Sequence, residues 1–175
     1  MSIPSAIVIG LDTMNGIQTA RILAEHKVPV IAIAKDPEHP FCSTKVCEKI
    51  LHVDTSSEEL IDLLVEIGPT LDHKAVLIPC NDMNVYLISQ YRERLEDWFF
   101  IIMPNHDTVD LLMNKTRFYK FAMEKGFPIP KTYFLSTDAD IDQITNELTF
   151  PCIQFFFNCF NISKGYLNLS ESGDN

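Results

Sequence analysis

"GLDTMNGIQTARIL", residues 10–23, follows directly on the apolar run "AIVI" at 6–9. The run reads as a buried strand. Ile17, Ala20, Leu23 and Ala24 then recur at helical spacing, with Gln18, Arg21 and Glu25 on the opposite face. A strand, a glycine turn and a helix in this order commonly hold a nucleotide or an anion, because a helix N-terminus offers unpaired N–H groups and a positive dipole end. The dinucleotide fingerprint G-x-G-x-x-G would need a glycine at Asp12, and only Gly10 and Gly16 are present. Asp36, at the end of the next apolar run, is the only other support for NAD or FAD. Two readings stay open: the turn holds an anion, or its glycines only relieve backbone strain.

Working outward, apolar runs alternate with helical periods. "VPVIAIA" (28–34), "KILHV" (49–53), "AVLIPC" (75–80) and "WFFIIM" (98–103) read as further strands. Between them, "TSSEELIDLLVEIG" carries a helix-start pattern, Ser56-x-x-Glu59, and an apolar face of Leu60, Ile61, Leu64 and Ile67 ended by Gly68. "NDMNVYLISQYRERL" reads as a helix capped by Asn81 or Asp82, with Ile88, Tyr91 and Leu95 inward. Short apolar strands separated by helices imply a parallel sheet covered on both faces, an α/β, Rossmann-like doubly wound layer. Ligands of such sheets bind at the carboxyl ends of the strands. The loops to watch are therefore residues 12–16 and 81–84.

After Pro104 the pattern changes to two short helices, a proline-rich turn and a strand, then a helix at "DADIDQITNEL". A strand begins at "FPCI", and no period is legible from Gln154 onward. This divides the chain into a Rossmann-like domain (1–104), a second region (105–153) and a divergent tail (154–175). Running into that tail, the uncharged run "FPCIQFFFNCF" (150–160) reads as a self-association hazard.

With 175 residues and 46% hydrophobic content, the chain has one ordinary domain's worth of core and part of another. A net charge of −10 argues against a nucleic-acid groove. The five cysteines, an odd number without C-x-x-C, read as free thiols in a reducing compartment. No signal peptide or membrane span is legible, so a cytoplasmic, soluble protein is expected. The "DADID" run lacks the glycine and glutamate of a calcium loop. The five histidines are scattered without ligand spacing, so no metal site is expected. "SKG" (163–165) lacks the rest of a Walker loop, and no Ser/His/Asp or Cys/His nucleophile pattern appears.

The stretch "DLLMNKTRFYKFAMEKGFPIPKTYFL" (110–135) resembles the entry to an ATP-grasp domain. There a D-K pair opens a helix, and G-[IF/V]-P-x-P follows about a dozen residues later. The counterparts are Asn114-Lys115 and Gly126-Phe127-Pro128-Ile129-Pro130. "D-T-x-N-G" (12–16), "HP" (39–40) and "P-C-N-D" (79–82) likewise resemble motifs of the domain preceding ATP-grasp in carboxylate–amine ligases of the carbamoyl-phosphate-synthase type. The resemblance runs over residues 5–153.

The resemblance implies that residues 1–104 are the pre-ATP-grasp domain and 105–153 the beginning of an ATP-grasp subdomain. It implies that Lys115 contacts ATP phosphate, and that Asp12, Thr13, Asn15, Gly16, Asn81 and Asp82 belong to substrate-side loops. ATP and Mg2+ serve the intact family, whose substrates are a small carboxylate and an amine. The family's strand lysine is Gln154 here, and its second ATP subdomain does not follow. The expectation is therefore a truncated ligase that is inactive alone, has no catalytic residue of its own and binds neither ATP nor Mg2+ tightly. The alternative is a non-catalytic module that binds a small ligand or a partner.

Overall fold

The computed structural model describes residues 3–135 and Ile144. The helix expected at 138–148, the strand at "FPCI" and the tail with Gln154 and Lys164 lie outside the described residues. Two compact units divide at Met113/Asn114.

The first unit is built on five strands: β1 (Ala6–Ile9), β2 (Val30–Ala34), β3 (Lys49–His52), β4 (Ala75–Pro79) and β5 (Phe99–Phe100). All pair in parallel, in the order β3-β2-β1-β4-β5. The helices are α1 (Met14–Glu25), α2 (Glu59–Ile67), α3 (Asp82–Gln90), α4 (Arg92–Leu95) and α5 (His106–Met113).

Strand alternation divides the core between the two faces. Ile7, Ile9, Ile33, Ala75 and Leu77 pack with Leu60, Ile61 and Leu64 of α2 and with Leu87 and Ile88 of α3. Val8, Val30, Ala32 and Ala34 pack with Ile17 and Ala20 of α1. This is the doubly wound α/β layer expected from the alternating apolar runs.

Several local expectations are corrected. Ser56 does not cap α2; the helix starts later, and Ser57 Oγ accepts from the Glu59 N–H at 3.3 Å. Gly68 does not end α2 through a left-handed turn. Its φ is −48°, and its missing side chain admits the Trp98 indole, which an added Cβ would meet at 2.7 Å. Lys27, at φ 60°, takes the left-handed position after α1. There its N–H and that of Val28 bond back to the Ala24 and Leu23 carbonyls, at 2.9 and 3.0 Å.

Strand β5 is shorter than the "WFFIIM" run. The Trp98 carbonyl faces β4, accepting from Ala75 N–H. By alternation Ile101 and Met103 therefore face the open edge. Arg92 takes both of their carbonyls, at 3.3 and 2.7 Å, and that of Pro104 at 2.8 Å. The guanidinium thus holds the segment that follows β5 and keeps residues 101–104 with the first unit. The Ser89 hydroxyl, 3.0 Å from His106 Nδ1, ties α5 to α3. These contacts carry the unit's end past the Pro104 boundary read from the sequence.

The second unit begins with α6 (Lys115–Glu124). Asn114 caps it, accepting from the Arg117 N–H at 3.1 Å. The helix closes on Gly126, and the Phe127 N–H returns to the Ala122 carbonyl at 2.8 Å. Residues 131–135, expected as a strand, have no ladder among the described residues.

Among the described residues, no helix is long and apolar enough to cross a membrane.

Candidate functional site

In the strand order, β1 lies beside both β2 and β4, and the chain leaves β1 toward β2 but leaves β4 toward β5. The carboxyl ends of β1 and β4 thus form the switch point at which doubly wound sheets open a crevice. An open depression of about 500 Å³ lies there, lined by Asn15, Ser56, Cys80, Asn81, Asp82 and Met83. The lining is polar and carries no lysine, arginine or histidine.

One wall is the β1–α1 turn. Gly10 sits at φ +91°, where a side chain would be strained. Thr13 caps α1: its hydroxyl donates to the Gly10 carbonyl at 2.7 Å and accepts from the Gly16 N–H at 3.0 Å. A Cβ on Gly16 would stand 2.0 Å from the Gly10 carbonyl oxygen and 2.8 Å from Leu11 Cα. Both glycines therefore answer to backbone shape and close helix–strand packing.

Asp12 ties the turn to the end of β2. Its Oδ2 accepts from the backbone N–H groups of Lys35 and Asp36, each at 3.0 Å. Its carboxylate stands at the middle-glycine position, where a pyrophosphate needs close backbone approach, and would repel one. Asp36, the possible ribose ligand, accepts instead from the Glu38 N–H at 3.0 Å.

The facing wall is the β4–α3 loop. Asn81 caps α3, its Oδ1 accepting from the Asn84 N–H at 2.9 Å. Asp82 opens the helix, where a carboxylate complements the dipole. Asn84 is fully buried, and its Nδ2 donates to the Thr55 carbonyl at 2.7 Å, holding the loop that carries Ser56. That bond fixes the orientation of the amide. Its Oδ1 has no hydrogen-bond partner. An unpaired buried acceptor costs about 1–3 kcal/mol.

The rim is tied by charge. Lys35 Nζ meets both carboxylate oxygens of Asp54, at 2.9 and 3.0 Å. The Ser56 N–H bonded to Asp54, and then Lys35, hold that carboxyl below its ordinary range. Burial pushes the Cys80 thiol up, against a smaller opposing pull from Thr19, so no thiolate nucleophile stands in the depression at neutral pH. Burial also raises Cys42 and Cys47. Among the described residues, no group of three or more His, Cys, Asp and Glu side chains could hold a metal ion.

Of the residues singled out in the sequence, Asn15, Asn81 and Asp82 meet at the depression. Thr13 and Gly16 build the turn behind it, and Asp12 bonds to the end of β2. Lys115 is the exposed first residue of α6 and belongs to the second unit. Asn114 lacks the carboxylate of the D-K pair but keeps the capping role, which either residue type performs. Cys80, Met83 and Asn84 fall in the P-C-N-D motif and the 81–84 loop that the sequence singled out, without a role given to each; Ser56 was read only as a helix-start residue. The second asparagine of "NDMN" was the available signal for Asn84.

No protein-family model matches the chain. The D-aspartate ligase of Enterococcus faecium (strain Aus0004) is 29% identical over 94 residues, 53% of this chain and 22% of that protein. Among solved structures, the biotin carboxylase domain of the Hydrogenobacter thermophilus 2-oxoglutarate carboxylase superposes with a TM-score of 0.59. It has 16% identity, and the match covers 86% of this chain and 34% of that one. The chain has the N-terminal fold of the ATP-grasp ligases. Two further ATP-grasp neighbours agree. The N5-carboxyaminoimidazole ribonucleotide synthetase of Thermus thermophilus gives a TM-score of 0.58 at 15% identity, with 83% of this chain and 37% of that one covered. The L-amino acid ligase of Bacillus licheniformis gives 0.57 at 12% identity, with 86% and 35% covered. The chain thus spans about a fifth of the curated relative's length and about a third of each solved chain.

Proposed function

We propose that this chain is the N-terminal part of an ATP-dependent carboxylate–amine ligase, and that the β1/β4 depression is the substrate-side wall of its site. The observation that carries the reading is the lining itself. Asn15 comes from the D-T-x-N-G turn, and Cys80, Asn81 and Asp82 come from the P-C-N-D loop. The two family-like motifs thus meet at the sheet's switch point. In such a ligase ATP supplies the phosphoryl group that makes an acyl phosphate of the carboxylate, which the amine then attacks. Lys115 would hold an ATP phosphate: it carries a positive charge at the capped start of α6, where the helix end also favours anions. Mg2+ finds no ligand set among the described residues. The likeness to a D-aspartate ligase makes D-aspartate the first small substrate to try.

The test is a pair of titrations of the full chain followed by amide NMR. Mg·ATP should shift the amides of residues 114–117, and Lys115→Ala should abolish that shift. D-Aspartate should shift Asn15, Asn81 and Asp82. A chain that takes a small ligand at the depression but shows no response to Mg·ATP would be a non-catalytic binding module. That second reading is favoured by the lack of any cationic side chain in the lining. A chain silent to both refutes the ligase reading.

A further inference from the structure

We infer that Asn84 is the positioning residue of this depression: its buried amide sets the β3–α2 loop, and with it Ser56, against the β4–α3 loop. The inference rests on reading the depression as a substrate site. Asn84 reaches all three walls. Its backbone N–H is held by Asn81 Oδ1 at 2.9 Å, and its Nδ2 holds the Thr55 carbonyl at 2.7 Å. Its Oδ1 lies below Gly10, 3.4 Å from where a Cβ there would stand. The Asn84 amide is the hydrogen bond that ties Thr55, and the Ser56 that follows it, directly to α3.

The energetics point the same way. Asn84 is fully buried beside Leu87 and Ile88, both core residues of the same helix. An apolar side chain of similar volume would remove the orphaned Oδ1 but would leave the buried Thr55 carbonyl without its donor. The asparagine therefore weakens the fold relative to a leucine in one respect. What it provides is a directional bond beneath the depression, from α3 to the residue before Ser56, which apolar packing cannot supply.

Two variants of the full chain test this, each read by urea unfolding, amide hydrogen exchange and D-aspartate titration. Asn84→Leu should lower the urea midpoint modestly at unchanged slope, because the buried Thr55 carbonyl loses its donor. It should raise exchange at residues 56–59 about tenfold, leave β1 protection unchanged, and weaken D-aspartate about tenfold. Asn84→Asp keeps an O–H donor for Thr55 while its carboxyl is protonated, which burial favours, and loses it on ionisation as pH rises. Its D-aspartate affinity and its protection at 56–59 should both recover as pH falls, a profile that a mere packing role would not produce. Parent-like exchange at 56–59 in Asn84→Leu overturns the inference whatever binds. If the parent itself shows no D-aspartate shift, the substrate reading fails for this ligand. The exchange measurements then still decide whether Asn84 sets the loop.

Discussion

Gly16→Ala is the most direct test of why the opening glycine turn exists. The added Cβ would lie 2.0 Å from the Gly10 carbonyl oxygen and 2.6 Å from its carbon, against an ordinary contact of 3.4 Å. Both are backbone atoms, so no side chain can rotate away. Helix α1 must back off β1 by about 1 Å, and a gap of that size forfeits a quarter to a half of each dispersion contact. The contacts at stake are those of Ile17 and Ala20 with Val8, Leu11, Val30 and Ala32, all essentially buried. We expect a loss of about 3 kcal/mol, the upper end for overpacking. That is a large share of the roughly 5–15 kcal/mol of a typical domain. The single tryptophan, Trp98, packs inside this unit against Gly68 and reports its unfolding by fluorescence in urea. Gly10→Ala is the internal control. Its φ of +91° is strained for alanine, but its Cβ would meet nothing closer than 3.4 Å, so it should lose only about 1–2 kcal/mol. If Gly16→Ala costs less than Gly10→Ala, the close-packing account of Gly16 is wrong and an anion-binding duty returns.

Three further outcomes follow from the same contacts. Lys27→Gly should raise stability by about 0.5–1 kcal/mol, seen as a higher urea midpoint at unchanged slope, because φ 60° strains a lysine but not a glycine; a lower midpoint counts against it. Arg92→Lys should lose about 2 kcal/mol, since an ammonium cannot span the carbonyls of Ile101, Met103 and Pro104. Unchanged stability would refute the clamp. The thiols of Cys42, Cys47 and Cys80 are raised above the ordinary thiol value, chiefly through burial, so iodoacetamide should label them slowly at a mildly alkaline pH of about 7.5. Because the folded state raises these values, their contribution to stability is intact below the unfolded thiol's pKa. It is lost as pH rises through the folded ones. Fast labelling at neutral pH would contradict the burial argument.

The first unit's layout was legible in the sequence because its signals are local. "AIVI", "VIAIA" and "AVLIP" are continuous apolar runs, as strands buried on both faces must be, and the helices between them show their periods within a few turns. The capping role of Asn81 and the breaks at Gly10 and Gly126 also lie within a few residues of their cause. The site was half legible. Asn15, Asn81 and Asp82 follow from strand ends and motif order, since ligands of such sheets collect there.

Tertiary structure alone decided what those residues do. Asp12 could be read only as a loop carboxylate in the sequence; the fold shows its Oδ2 bonded to the Lys35 and Asp36 N–H groups. The role of Asn84 became visible only through the Thr55 carbonyl, and the end of β5 only through Arg92 taking the carbonyls that follow it. Gly68 ends α2 as its sequence implies, but only the fold shows that Trp98 occupies the space of its missing side chain. In each case the partner is distant in sequence or fixed by three-dimensional packing. Local periodicity records which face a residue turns inward, but it holds no information about which group from another element arrives to meet it.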